Sequence, residues 1–321
     1  MRQAGRYMPE YHAIRARLSF LELCKNPEAA AEVTLQPVET LGVDAAILFA
    51  DIRLIVEPLG VGLTFGAGEG PVIQRPVRAE IDVARLGPVD VESSVGFVFD
   101  TVTRVKKALG GRVPLIGFAG APFTVASYVV EGGASRDYLH VKRLMYGAPQ
   151  AWDRLMDVLV EATARYLNGQ IAAGAEAVQL FDSWVGALAP EDYRAYVLPH
   201  MKALFAKLTP GTPVIHFGTG TAALLPLMRE AGGDVLGLDW RVDLASGWRA
   251  VGYDVAVQGN LEPAVLLAAP AYIRKRAQAV LDAAGGRAGH IFNLGHGIHK
   301  DTPVEHVKAL VEIVHELSDR R

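Results

Sequence analysis

Val43-Asp44-Ala45-Ala46-Ile47-Leu48-Phe49-Ala50-Asp51 is a near-continuous apolar run of strand length that stops at one carboxylate. A strand covered on both faces reads this way, because neither face meets water and the polar alternation disappears. The same grammar returns along the chain. Residues 113–119 end in Gly120-Ala121-Pro122, 177–181 in Asp182-Ser183-Trp184, and 213–217 in Gly218-Thr219-Gly220. Residues 235–238 end in Asp239-Trp240, 254–257 in Gln258-Gly259-Asn260, and 290–294 in Gly295-His296-Gly297. Helical segments lie between these runs. In residues 151–171, Trp152, Leu155, Met156, Leu159, Val160, Tyr166 and Leu167 follow the 3.6-residue period. Asn26-Pro27-Glu28 supplies an N-cap, a first-position proline and a first-turn acid. That helix is expected over 29–40, kinked before Pro37 and ended by Gly42. Thr302-Pro303 opens the last helix in the same way.

Seven buried strands, each followed by a helix, mean a parallel sheet. Seven similar units fit a closed (β/α)₈ TIM-type barrel better than an open doubly wound sheet, whose middle and edge strands differ. A single α/β barrel domain over residues 1–321 is therefore expected, with its first strand truncated at the N-terminus just before Arg2. Polar residues at the strand ends would ring one mouth. One unit is irregular: residues 54–72 alternate apolar positions among glycines and read as a hairpin excursion. Its Gly66-Ala67-Gly68-Glu69-Gly70 looks like a nucleotide loop but lacks the strand-to-helix context, and Glu69 would repel phosphate.

A net charge of −3 gives no global field for nucleic acid or an anionic membrane, so a polyanionic ligand must meet a local basic patch. One cysteine, Cys24, excludes a disulfide framework and fits a reducing, cytoplasmic setting. No run of eighteen apolar residues and no signal-like opening occurs, so a soluble protein is expected.

Met1-Arg2-Gln3-Ala4-Gly5-Arg6-Tyr7-Met8-Pro9-Glu10-Tyr11 places two arginines four apart on a run punctuated by Gly5 and Pro9. It reads either as a solvated basic terminus or as a clamp whose guanidinium forks pair with carboxylates. Asp51 is either a helix N-cap or a site carboxylate. The following Ile52-Arg53-Leu54-Ile55 reads as extended chain, which disfavours the cap. Tyr128 stands on a helix entered from a strand exit, where packing and site roles compete. Ser183 lies outside any Gly-x-Ser-x-Gly elbow and suits a hydrogen-bond or capping role. His296 sits between two glycines, which permits close approach of a ligand. The histidine spacings match neither His-Glu-x-x-His nor a Cys/His zinc set, so no metal is expected. Arginines, one Asp, hydroxyls and a histidine suit holding an acidic organic molecule.

These motifs, with Gly68-Glu69-Gly70-Pro71, Glu131-Gly132-Gly133, Gly237-Leu238-Asp239-Trp240, Gln258-Gly259-Asn260-Leu261 and Phe292-Asn293-Leu294, resemble the uroporphyrinogen decarboxylase family of haem biosynthesis in family order. The resemblance implies a TIM-type barrel enzyme, a homodimer, that removes CO₂ from the four acetate side chains of uroporphyrinogen III without a cofactor. It implies that Arg2 and Arg6 bind substrate carboxylates, with Gln3, Ala4 and Gly5 lining the same loop. Asp51 would meet the pyrrole N–H groups as a transition-state stabiliser, and Arg2, Tyr128 and His296 would join it in catalysis. Phe20, Tyr128, Ser183 and His296 match further substrate contacts. The alternatives are a corrinoid-linked methyltransferase of the same superfamily and an inactive tetrapyrrole binder. The methyltransferase should carry a His-x-Cys zinc pair, and His216-Phe217-Gly218 lacks the cysteine.

Overall fold

A computed structural model describes residues 7–65, 71–87, 89–133 and 135–319. Nine strands occur among them: β1 (Ala46–Ile47), β2 (Leu63–Phe65), β3 (Pro71–Ile73), β4 (Leu115–Gly120), β5 (Ala177–Asp182), β6 (Val214–Gly218), β7 (Val235–Gly237), β8 (Ala256–Leu261) and β9 (His290–Leu294). Seven form one curled parallel sheet in the order β1-β4-β5-β6-β7-β8-β9, so each strand lies beside the next main strand in sequence. Sequential parallel neighbours joined by helices are the barrel arrangement. Every expected strand is present. Among the described residues β1 and β9 are the two ends of the sheet. The expected excursion is the antiparallel pair β2–β3, registered Leu63 to Ile73. The glycine run 66–70 lies outside the described residues.

The helix over Pro27–Leu41 starts as read, with the Asn26 side chain accepting from the amides of Glu28 and Ala29. It ends at Gly42, whose φ of 68° is the left-handed conformation that needs a glycine. The long helix Pro149–Ala172 buries Trp152, Leu155, Met156, Leu159, Val160, Tyr166 and Leu167, the apolar set its period predicts.

Two side-chain contacts complete the sheet where its backbone pairing stops. The strand β1 meets β4 only at Leu115 and Ile116, so the N–H and C=O of Phe118 face a gap on that side. The Gln170 amide of the long helix fills the gap, accepting from the Phe118 N–H at 2.9 Å and donating to its C=O at 3.0 Å. Beyond β1, the Thr34 hydroxyl accepts from the amide of Phe49 at 2.9 Å. Buried backbone polar groups are costly unless paired, and both of these are paired by helix side chains.

Gln258 on β8 donates to Gln179 on β5, 3.4 Å away. Those strands are not neighbours, so the two side chains meet across the concave face. By the two-residue alternation Phe181 lies on that face too, while Leu180 and Asp182 face the helices. Phe181 packs edge-on against Phe118 at 5.5 Å and Phe217 at 6.0 Å, giving an aromatic floor under the C-terminal mouth.

The stretch after Asp51 departs from expectation. It is not extended: Leu54–Leu59 is a 3₁₀ helix. The Asp51 carboxylate accepts from the Arg53 amide at 2.9 Å, and the Leu54 amide donates to the Asp51 carbonyl at 3.2 Å. An aspartate that bonds its own backbone two residues on bends the chain locally, and this overrides the apolar pattern that reads as strand.

Candidate active site

The mouth of the sheet carries two groups of side chains. The first gathers around Asp51, which stands four residues past β1, its side chain only 11% exposed. Arg53 grips it bidentately, with Nε to Oδ1 at 2.6 Å and Nη2 to Oδ2 at 2.6 Å. The guanidinium of Arg53 also lies 5.3 Å from the ring centroid of Tyr128. Burial alone would lower the Arg53 pKa, but the hydrogen bonds and charge of Asp51 outweigh it and raise the pKa, so the group stays a cation. Tyr128, on the helix Pro122–Glu131, meets Trp184 edge-on at 5.9 Å. The thiol of Cys24 is buried, its pKa raised first by burial and then by the Asp51 charge.

Ser183 is half-buried, between Asp182 and Trp184 in the turn that leaves β5. That turn is pinned from behind. Thr124 donates its hydroxyl to Asp182 Oδ1 at 2.8 Å and accepts from the Trp184 amide at 3.2 Å. Asp182 is fully buried, and burial pushes its carboxyl up from 3.8 to about 7 against the opposing Thr124 hydrogen bond. The folded protein thus keeps a proton that the unfolded chain releases at 3.8. Stability contributed by this group is full below that pH, falls as pH rises towards 7, and is flat above. Asp182→Asn is expected to abolish a decline of a few kcal/mol between pH 4 and 8, at about 1.4 kcal/mol for each pH unit. Urea unfolding of both proteins across that range checks it, and parallel pH profiles would contradict it.

The second group sits at the ends of β7, β8 and β9. His296, in the loop after β9, packs edge-on against Trp240 at 5.6 Å. Trp240 in turn carries the Arg241 guanidinium 3.7 Å over its ring. Asp239, fully buried, accepts from the Gly220 amide at 2.5 Å, the Arg241 amide at 3.0 Å and Arg241 Nη1 at 3.1 Å. Asn260 donates to the carbonyls of Asp239 and Val242, which locks β8 to the same turn. The glycine before His296 serves packing here: a Cβ on Gly295 would lie 2.3 Å from the Trp240 amide nitrogen.

Phe20 opens the helix Phe20–Lys25 and packs on Phe49 at 6.0 Å, just before Asp51 in the chain. Arg2, Gln3, Ala4, Gly5 and Arg6 lie outside the described residues. Directly after them, Tyr7 and Met8 are buried in the apolar cluster that also holds Leu261, Leu294 and Ile298. Arg53 was missed from sequence because its segment read as strand. An Asp-x-Arg spacing just past an apolar run is the signal that finds it. No group of three or more His, Cys, Asp or Glu able to hold a metal occurs among the described residues. His216 faces away from the mouth, against Phe205, and burial pushes its pKa down to about 4. No helix among the described residues is long and apolar enough to cross a membrane.

A protein of Carboxydothermus hydrogenoformans named uroporphyrinogen decarboxylase is 57% identical over 319 residues, covering 99% of this chain and 91% of that one. Its namesake from Sorangium cellulosum is 56% identical over 318 residues, with 99% and 91% covered. Among solved structures, a methyltransferase from Methanosarcina mazei shares the fold at a TM-score of 0.79, with 20% identity over 98% of this chain and 92% of that one. A B12-independent methionine synthase from Shewanella shares it at 0.60, with 13% identity over 94% and 91%. The family model described as Uroporphyrinogen decarboxylase (URO-D) matches residues 1–317, and the chain belongs to that family.

Proposed function

We propose that this protein decarboxylates uroporphyrinogen III, converting its four acetate side chains to methyl groups and releasing coproporphyrinogen III and CO₂. The observation that carries the reading is Asp51: a nearly dry carboxylate past a barrel strand, in a chain that the family model matches over residues 1–317.

Losing CO₂ leaves an electron pair on the acetate carbon, and the substrate itself can take it. Protonation of a pyrrole α-carbon makes a cation conjugated to the departing carboxylate. Decarboxylation then neutralises that cation, a proton delivered to the exocyclic carbon completes the methyl group, and loss of the proton from the pyrrole α-carbon restores the ring, so one proton is consumed for each CO₂ released. A carboxylate held near the pyrrole nitrogens stabilises the cationic stage, which is charge stabilisation and not base catalysis. Arg2, Tyr128 and His296 are the candidates to deliver protons, and Arg2 is the weakest acid of the three. Arg2 and Arg6 hold substrate carboxylates, with Gln3, Ala4 and Gly5 lining their loop. Phe20, Ser183, Tyr128 and His296 contact the macrocycle. Local arginines are how a protein of net charge −3 holds an octa-acid. On the family resemblance the reading extends to one barrel domain over residues 1–321, acting in the cytoplasm as a homodimer.

Anaerobic incubation with uroporphyrinogen III, followed by chromatography of the oxidised products, tests it. Successive loss of carboxylates down to the tetra-acid is expected. Retained binding without CO₂ loss would make the protein a tetrapyrrole carrier. Methyl transfer from a methylated corrinoid would make it a methyltransferase, a reading weakened by His216-Phe217-Gly218, which lacks a cysteine ligand, and by the burial of His216.

A further inference from the structure

Resting on the decarboxylase reading, we infer that Arg53 is an additional substrate-carboxylate-binding residue, stored on Asp51 and handed to an acetate or propionate carboxylate when substrate enters. A carboxylate offers about four lone-pair directions, two on each oxygen. Arg53 fills three of them: its backbone N–H and Nε both reach Oδ1, and Nη2 reaches Oδ2. One direction remains on Oδ2, which is too few for an acid that must receive several converging pyrrole N–H groups. The charges conflict as well. A guanidinium 2.6 Å from Asp51 cancels much of the field that stabilises a pyrrole cation.

Substrate entry resolves both conflicts. Uroporphyrinogen carries acetate and propionate carboxylates around its rim and N–H groups at its centre. When the centre comes over Asp51, the guanidinium leaves the aspartate and takes a rim carboxylate, keeping its fork filled. Arg53 is only 13% exposed at its side chain, so it cannot be left without an anion at low cost, and the exchange keeps every buried charge paired. The stem has a track to follow, because the guanidinium already lies over the Tyr128 face and can slide along it. The backbone bond from the Arg53 N–H to Asp51 Oδ1 survives the swing, so the turn that holds Asp51 stays formed.

Steady-state kinetics of Arg53→Met test this under the same anaerobic conditions. Methionine keeps an apolar stem and removes the fork. The expected result is a KM for uroporphyrinogen raised about 10- to 100-fold, the worth of a charged hydrogen-bonded contact, with kcat retained or increased. A kcat reduced with KM unchanged would make Arg53 a fixed partner that merely holds Asp51, and would overturn the inference. So would no change in either constant. Should Arg53→Met fail to fold by circular dichroism, Arg53→Lys decides the matter: charge kept and fork lost, it should show a smaller rise in KM at full kcat. Loss of kcat alone in Arg53→Lys overturns the inference. Failure of the decarboxylase reading looks different, since the unmodified protein would then release no CO₂.

Discussion

Asp51→Asn is expected to lower kcat by about three orders of magnitude, since a unit charge ~4 Å from a cation at an effective dielectric of ~20 contributes about 4 kcal/mol. The substitution is nearly isosteric. An asparagine Oδ1 still accepts the Arg53 backbone N–H that shapes the turn, so the 3₁₀ helix Leu54–Leu59 keeps its start. It also still accepts a pyrrole N–H, so KM should stay within about threefold of the parent value. What disappears is the negative charge that strengthens its hold as the pyrrole becomes a cation. Stopped anaerobic assays that separate kcat from KM make the measurement. Equal kcat with a raised KM would show that Asp51 only holds the substrate.

Gly295→Ala should be the most damaging small change in the second group. The added Cβ would lie 2.3 Å from the Trp240 nitrogen, 2.8 Å from its Cα and 2.9 Å from the Asp239 carbonyl carbon. All three are backbone atoms of a turn that Asp239 and Asn260 hold with buried hydrogen bonds, so no flexible side chain can give way. The amide of Gly295 is itself fixed, donating to the Leu261 carbonyl at 2.7 Å. Overpacking of this kind costs about 1–3 kcal/mol or more. The strain falls between Trp240 and His296, whose rings pack at 5.6 Å, so activity should fall further than stability. Thermal melts together with kcat/KM check the pair. A variant that melts lower yet turns over normally would remove His296 from the reaction.

The strands were legible because parallel strands covered on both faces are written in apolar residues, and burial on both sides leaves no other pattern. Gly42 and Asn26 were legible because capping is local chemistry. The turn after Asp51 was not, since Ile52, Leu54 and Ile55 are apolar whether they extend or coil, and a side-chain bond to the next amide but one decides which. Arg53 went unseen for the same reason: an extended chain would carry it onward past Asp51, and only the tight turn folds its guanidinium back onto the carboxylate. Trp240 was visible only as part of a motif. Its use against Gly295 and His296 depends on three strand ends meeting, which no single stretch encodes. The arginine loop 2–6 lies outside the described residues; Tyr7 and Met8, next to it, are buried.

Gln170 gives the fold a dependency that its strand order conceals. In most sheets a strand amide is protected by its neighbouring strand, so the sheet can persist when a helix peels away. Here the amide of Phe118 is protected by a side chain 52 residues further on, carried by the helix Pro149–Ala172. Undocking that helix therefore unlatches β4 beside the shortest strand of the sheet, and Phe118 is one of the aromatics flooring the mouth. Fluctuations of this helix and of the aromatic floor are then coupled, so native-state opening at this seam reaches the mouth of the sheet directly.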